Sequence, residues 1–319
     1  MMRDSRFQDL PFGITTIDTG YERPQLAASH LIVEGGCAAF VDVGTSHSVP
    51  TLLEALRLKG IPREDVAYVM VTHVHLDHAG GAGELMRHLP NARLVVHPRG
   101  ARHMIDPGKL VAGTAAVYGA DQMRARFGEV VPVPAERVIE ASDAFAVDLN
   151  GRRLLCLDTP GHARHHYCVW DEKSRGFFTG DTFGISYREF DVDGRAFIFT
   201  TTTPVQFDPP ALHASLDRMM SYQPERMYLT HYGCVTDTER LARELHEQID
   251  LYVAVARDAS GAGEARHQRM KEGLAEIMLT RLAAHGCTMD REQILALLAM
   301  DLDLNAQGLG CWLDSTAAR

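Results

Sequence analysis

Residues 72–78, Thr72-His73-Val74-His75-Leu76-Asp77-His78, place three imidazoles and one carboxylate within six residues. They directly follow Val66-Ala67-Tyr68-Val69-Met70-Val71, a short apolar and β-branched run that predicts a buried strand. Gly80-Gly81 predicts a turn, and a helix is expected over Ala82–Leu89. The polar side chains therefore lie at the carboxyl end of a strand, where open α/β sheets bind ligands. Imidazole and carboxylate suit zinc, and also iron or manganese, whereas the same cluster buried without metal would leave costly unpaired polar groups.

The pattern His-x-His-x-Asp-His after a strand resembles the signature of the metallo-β-lactamase-fold hydrolases. The resemblance implies three later ligands, and each has a match at the end of an apolar run. These matches are His162 in Thr159-Pro160-Gly161-His162, Asp181 in Phe178-Thr179-Gly180-Asp181-Thr182, and His231 in Tyr228-Leu229-Thr230-His231-Tyr232-Gly233. A further match, Phe40-Val41-Asp42-Val43-Gly44-Thr45, resembles an early strand of the family that ends in an Asp. The resemblance covers about Gly13–Val235.

The resemblance also implies how these ligands are shared between two divalent metal ions, with zinc expected first and iron or manganese as alternatives. His73, His75 and His162 would bind one metal, and Asp77, His78 and His231 the second, with Asp181 bridging both. A hydroxide held between the metals would be the nucleophile, so no Ser or Cys nucleophile is required. Asp77 would receive a proton as the tetrahedral species breaks down, which makes it the candidate catalytic residue.

Four more residues are candidates to support the proposed ligands or to contact the substrate, and each has two interpretations. Asp42 either orients the ligand loop through hydrogen bonds or caps a turn at the end of its strand. His165 is either a substrate or ligand-supporting contact or a surface residue. Tyr187 and Tyr232 either donate to a developing oxyanion or pack in the core. His165 also stands where many thioester-cleaving relatives have a glycine, which argues against a glyoxalase II itself.

Periodicity along the chain predicts an α/β protein followed by a helical region. Alternating strands and helices over residues 1–236, with a hairpin at Asn150-Gly151, predict two β/α halves, and the resemblance implies the four-layer αββα sandwich. Residues 237–319 are rich in Ala, Leu, Glu and Arg and predict an all-helical extension. Three helices are expected there, over Glu239–Ala256, Ala265–Ala284 and Arg291–Met300. Their apolar stripes are expected to pack across the mouth of the sandwich or to form a homodimer contact, and so to affect substrate choice or assembly more than metal binding.

Charge, apolar runs and cysteines limit which partners and which cellular compartment are expected. The 319 residues carry a formal net charge of −10, which argues against a nucleic-acid surface because such surfaces need clustered Lys and Arg. The sequence has no run of 18 apolar residues, so no membrane span is expected. Met1–Arg6 lacks the apolar segment of a signal peptide, so none is expected there. The six cysteines form no Cys-x-x-Cys pair, which favours reduced thiols in a cytoplasmic protein.

The leading hypothesis is a two-metal hydrolase acting on a small ester, thioester or lactone. The runner-up is an iron-dependent oxidoreductase of the same fold, either a persulfide dioxygenase or a diiron oxygen reductase. Against it, the persulfide dioxygenases use one iron, and no flavodoxin-like extension follows as a diiron reductase would need. A nuclease or phosphodiesterase fits the acidic balance poorly, and a non-enzymatic metal-binding scaffold would not require every ligand.

Overall fold

The computed structural model describes residues 5–259 and 261–317 of the chain. Its contacts divide the chain into two compact units that alternate along the sequence. The first unit comprises Met1–Asp158, His165–Gly180 and Pro224–Val235, and the second comprises Thr159–Arg164, Asp181–Gln223 and Thr236–Arg319. The helical extension thus forms a unit together with two earlier segments, and the domain boundaries 1–236 and 237–319 stay a prediction. Met1–Asp4, which enter the prediction that no signal peptide is present, lie outside the described residues.

The first unit contains a mixed sheet of seven strands whose spatial order is also their order along the chain. The strands are β1 Phe7–Leu10, β2 Ile14–Asp18, β3 Ala28–Glu34, β4 Cys37–Val41, β5 Val66–Met70, β6 Arg93–Val96 and β7 Val138–Glu140. Strands β1 to β4 pair antiparallel, and β4 to β7 pair parallel. Because parallel strands need crossovers, helices connect them. These helices are α1 Val49–Lys59, α2 Leu76–Ala79, α3 Ala82–Arg87, α4 Pro98–Ile105, α5 Gly108–Tyr118 and α6 Ala120–Phe127.

The second sheet of this unit has six strands in the order β13-β12-β11-β10-β9-β8. They are β8 Phe145–Leu149, β9 Arg152–Asp158, β10 Tyr167–Asp171, β11 Gly176–Phe178, β12 Arg226–Leu229 and β13 Gly233–Val235. The predicted hairpin at Asn150-Gly151 is confirmed, since Leu149 pairs with Arg152 across it. Both turn residues have positive φ, 51° at Asn150 and 87° at Gly151, as a two-residue hairpin turn requires.

Two apolar cores hold the layers of the first unit together. One core is shared by the two sheets and includes Ile32 and Met70 from the first and Val169 and Phe178 from the second. The other core lies on the opposite face of the first sheet, where side chains of α1, α3 and α4 pack on it, Leu52, Leu85 and Met104 among them. The predicted α/β class is confirmed: the chain has two mixed sheets with helices, followed by a C-terminal helical region.

The helices of the second unit are α7 Pro209–Met220, α8 Thr238–Asp258, α9 Gly263–His285, α10 Arg291–Leu297 and α11 Ala299–Ala317. The predicted stripe on α8 is buried at Leu241, Leu245 and Ile249. The last predicted helix ended at Met300, whereas α11 continues to Ala317. It does so through Gly308, which packs so closely on Thr202 that an added Cβ would lie 1.5 Å from the Thr202 carbonyl oxygen.

No single helix of the described residues combines the length and apolar character needed to cross a membrane. Helices α10 and α11, which are bent by 62° relative to each other, are together long and apolar enough to do so, by length and composition alone. Among the described residues, the six cysteines form no disulfide.

Candidate metal centre

The site begins where β5 ends, because the chain leaves the sheet after Met70 and carries the ligand motif into the short helix α2. The backbone N–H groups of His78 and Ala79 donate to the His75 carbonyl, which fixes the turn that separates His75 from His78. A Cβ added to Gly81 would lie 2.5 Å from the carbonyl oxygen of Thr45. The predicted glycine turn is therefore also a close approach of two backbone segments.

Asp77, His78 and His231 bring three donor atoms together within the first unit. The Nε2 atoms of His78 and His231 are 3.3 Å apart, and Asp77 Oδ2 lies 3.6 Å from the first and 3.3 Å from the second. Two nitrogens and one oxygen at these separations suit one ion with bonds of about 2.0–2.2 Å. The donor set therefore fits a divalent metal.

Both imidazoles of this group are oriented by a hydrogen bond at the opposite ring nitrogen. His78 Nδ1 lies 2.8 Å from Asp42 Oδ2, and His231 Nδ1 lies 2.8 Å from the carbonyl oxygen of Leu26. Each Nδ1 therefore carries the proton, and each Nε2 presents its lone pair to the other ligands. Metal-binding histidines are held in this way, with a carboxylate or carbonyl fixing the tautomer.

Asp42 is fully buried and connects three parts of the first unit. Besides His78, it accepts hydrogen bonds from the backbone N–H and hydroxyl of Thr72 and from the hydroxyl of Thr230 at 2.6 Å. Thr72 and Thr230 immediately precede the proposed ligands His73 and His231. Of the two interpretations of Asp42, these contacts correspond to the orienting one. The sequence alone did not reveal Thr72 and Thr230, because nothing in their spacing shows that they share an acceptor.

The remaining proposed ligands form one pair in each unit. In the first unit, His73 Nε2 lies 2.9 Å from His75 Nδ1, and the His73 ring is fully buried. In the second unit, His162 Nε2 lies 3.3 Å from Asp181 Oδ2, and both side chains are buried. Gly161 has φ of 129°, and a Cβ there would lie 2.4 Å from Leu212 Cα, so only glycine fits before His162.

His165 is half-buried and lies in the first unit beside the ligand loop. Its ring centroid is 5.8 Å from that of His75 and 6.3 Å from that of His73. Burial, with the neighbouring His75, His103 and His97, lowers the pKa of His165 to about 3, so the ring is neutral near pH 7. Its buried Nδ1 has no hydrogen-bond partner among the described residues. A neutral imidazole offers one donor and one acceptor nitrogen.

The two tyrosines are both buried. The Tyr187 hydroxyl donates to the carboxylate of Asp301 at 3.0 and 3.1 Å, within the second unit. This bond uses the proton that an oxyanion donor would need, so the structure favours the packing interpretation for Tyr187. Tyr232 follows His231 in the first unit and is 3% exposed.

Comparison with known proteins places this geometry in a family. The protein-family model described as "Metallo-beta-lactamase superfamily" matches residues 23–231, about two thirds of the chain. The chain belongs to the metallo-beta-lactamase superfamily. Members of the superfamily are mostly metal-dependent hydrolases. The predicted family is thus confirmed, and the match ends at the last proposed ligand.

Three relatives illustrate the range within the superfamily. The metallo-beta-lactamase fold-containing protein ST1585 of Sulfurisphaera tokodaii is 26% identical over 70% of this chain and 80% of its own length. Its crystal structure superposes with a TM-score of 0.64 and covers 93% of this chain and 98% of that one, at 23% identity. An atrochrysone carboxyl ACP thioesterase of Aspergillus fumigatus is 28% identical over 37% of this chain and 27% of its own length. The structure of a peroxy diiron species of the chemotaxis sensor ODP shares the fold alone, at 14% identity and a TM-score of 0.52, covering 75% of this chain and 93% of that one.

Proposed function

We propose that this chain is a two-metal hydrolase that cleaves a small ester, thioester or lactone. The observation that carries the proposal is the triangle of Asp77, His78 and His231, with both imidazoles oriented at Nδ1. We assign this group to one metal ion, and His73, His75 and His162 to a second, with Asp181 bridging the two. Zinc is the metal we expect first, and iron and manganese, which the same imidazole and carboxylate donors suit, are the alternatives.

The metals, when bound, would supply an acidified water and polarise the carbonyl group of the substrate. The residues of the chain would provide the rest. Asp42 holds His78 in one tautomer. Asp77, whose side chain is 24% exposed, would take up a proton at its carboxylate. His165 would contact the substrate next to His75.

Support for a carbonyl substrate comes from the superfamily and from the relative named as a thioesterase. That match spans about a quarter of the thioesterase, so the substrate class remains our proposal. No second function is proposed, because the likeness to the diiron sensor shows the fold alone.

Two ligand variants test the proposal, His75→Ala and Asp181→Ala. Each should lose metal and turnover together on a panel of esters, thioesters and lactones, since a metal ligand cannot be removed without weakening the site. His267→Ala is the matched control, because His267 is a partly exposed imidazole of α9 paired with Asp303. Full metal and full turnover in Asp181→Ala would refute the ligand assignment.

The pH dependence offers a second test. The rate should rise with pH along a single limb near neutrality, as expected for a metal-activated water. Thiol alkylation should leave the activity in place, because a metal-activated water needs no thiol nucleophile. A rate that follows a thiol titration, and is abolished by alkylation, would contradict the metal mechanism.

A further inference from the structure

A second group of metal-binding side chains lies on the facing helices α7 and α8 of the second unit. Each helix contributes a His and an Asp four residues apart, His213 and Asp217 on α7 and His246 and Asp250 on α8. Residues four apart share one face of a helix, so each helix presents an imidazole and a carboxylate on the same side. None of these residues belongs to the centre described above.

The four side chains form one continuous row. Asp250 Oδ1 lies 3.3 Å from His213 Nε2, His213 Nδ1 lies 2.6 Å from His246 Nδ1, and His246 Nε2 lies 3.3 Å from Asp217 Oδ1. The two rings are parallel to within 5°, and their centroids are 4.9 Å apart. This centroid distance is about the sum of the Nδ1···Nδ1 distance and two ring radii, so the rings lie side by side and their Nδ1 atoms point at each other.

That geometry resembles a metal site with a proton in place of the metal. An imidazole can approach another imidazole nitrogen to nitrogen at this distance only if one proton lies between them. Each outer nitrogen lies 3.3 Å from a carboxylate oxygen, which is the support that metal-binding histidines receive in proteins. The central proton is the one position in the row that a cation could take over.

We propose that His213 and His246 bind one divalent transition-metal ion through their Nδ1 atoms, with Asp250 and Asp217 holding the outer nitrogens. A metal with bonds of about 2.0–2.1 Å in tetrahedral geometry separates two ligand nitrogens by about 3.4 Å. The rings would therefore move apart by several tenths of an ångström and tilt so that both lone pairs point at the ion. This movement is open to side chains that are 27% and 29% exposed. Water would complete the coordination.

Charge favours the exchange of the proton for a metal. A divalent ion bound between two neutral imidazoles carries two positive charges, which balance the charges of the two carboxylates. Imidazole ligands suit zinc, copper and nickel. A metal at this site would link α7 to α8. Because α7 belongs to the segment that follows Asp181, the metal would also hold that segment to α8.

The test compares zinc binding in the metal-loaded protein and in two variants, His246→Ala and His213→Ala. After loading of the first centre and removal of loose metal, wild type should bind one more equivalent of zinc than either variant. Zinc should also raise the melting temperature of wild type more than that of the variants. Asp250→Asn should weaken the binding roughly tenfold rather than abolish it, because Asp250 acts through His213.

His267→Ala is the control here as well, because His267 pairs with Asp303 at 3.1 Å and is similarly exposed, at 20%. It should keep the additional equivalent. Equal zinc stoichiometry in wild type, His246→Ala and His213→Ala would overturn the proposal, as would loss of the equivalent in the control. Turnover of the loaded enzyme serves as a separate readout. It should be the same in wild type and His246→Ala, so a failure of this site is distinguishable from a failure of the proposed function.

Discussion

Asp42 shows how much of the centre depends on one buried side chain that would not itself bind metal. Its two oxygens serve four donors, two from Thr72 and one each from His78 and Thr230. The residue has φ of 50°, an uncommon value for a non-glycine residue, and Asp is among the types that tolerate it best. A carboxylate is needed because an amide would turn one acceptor into a donor facing other donors.

Asp42→Asn should therefore weaken metal binding by roughly 10–100-fold, as loss of a supporting carboxylate does. It should also reduce the free energy of unfolding by about 1–3 kcal/mol. Chelator competition measures the first and urea unfolding the second. The control is Asp171→Asn, an equally buried aspartate that pairs with Arg152 away from the ligands. Asp171→Asn should lose stability, but its folded form should keep the metal affinity of wild type. An unchanged metal affinity in Asp42→Asn would contradict the orienting role of Asp42.

His30 predicts part of the pH dependence of stability. Burial lowers the pKa of His30 to about 4, so the folded protein keeps the ring neutral while the unfolded chain protonates it below about pH 6.5. The stabilisation from this group is complete above pH 6.5 and is lost as the pH falls towards 4. Over that interval it amounts to at most about 3 kcal/mol.

The measurement is urea unfolding of wild type and His30→Gln at several pH values. Between pH 6.5 and 4, wild type should lose more stability than the variant, by up to about 3 kcal/mol. Parallel pH curves would show that His30 does not titrate as described. Gln keeps a donor for the carbonyl oxygen of Leu229, which His30 Nε2 contacts at 3.1 Å, because the Gln amide nitrogen lies about as far along the side chain as the imidazole Nε2.

At the scale of elements, sequence periodicity predicted most strands and helices, and its failures have physical causes. β1 is short and half-exposed, so its pattern is weak, and β13 is three residues that gain strand geometry only by pairing with β12. Helix α11 contains Gly308, and glycine disfavours a helix in sequence-based prediction because it lowers helix stability by about 1 kcal/mol relative to alanine. Close packing on Thr202 overrides that cost, and no local pattern reveals such a contact.

The candidate site was predictable to the extent that its residues follow strands. The histidines and aspartates were identified by motif and family resemblance, whereas the hydrogen bonds that orient them depend on residues far apart in sequence. Asp42 and Thr230, for example, are 188 residues apart. The row of His213, His246 and their aspartates was missed because each helix alone shows only an unremarkable His-Asp spacing.

Helix α11 also fixes the segment that follows Asp181. The backbone N–H of Thr202 donates to Asn305 Oδ1 at 2.6 Å, and the Thr202 hydroxyl donates to the Asn305 carbonyl oxygen at 2.9 Å. Asp301 accepts from Tyr187 one turn earlier. The sequence predicted that the extension affects substrate choice or assembly; these bonds give it a part in holding the chain beyond a proposed ligand.

Asn305→Ala should reduce the free energy of unfolding by about 1–3 kcal/mol, because the buried N–H of Thr202 loses its acceptor. Thermal or urea unfolding measures the change. Gln307→Ala, two residues along the same helix, is the control. Gln307 donates to the partly exposed Asp303, and its removal should cost less than about 0.5 kcal/mol. Equal losses in the two variants would mean that α11 does not hold the segment through Asn305.

For the whole molecule, the account depends on two metal ions acting in one centre. The chain supplies seven proposed ligands, five in the first unit and two in the second, and its family is one of mostly metal-dependent hydrolases. The formal net charge of −10 also favours the binding of cations.

Elemental analysis of the purified protein tests this claim most directly. We would use the His246→Ala variant, so that the row on α7 and α8 adds nothing to the count, and compare it with the same variant carrying Asp181→Ala. The account predicts about two transition-metal ions per chain in the first and a clear loss in the second. A value near one that does not rise when metal is added, or an unchanged value without Asp181, would contradict it.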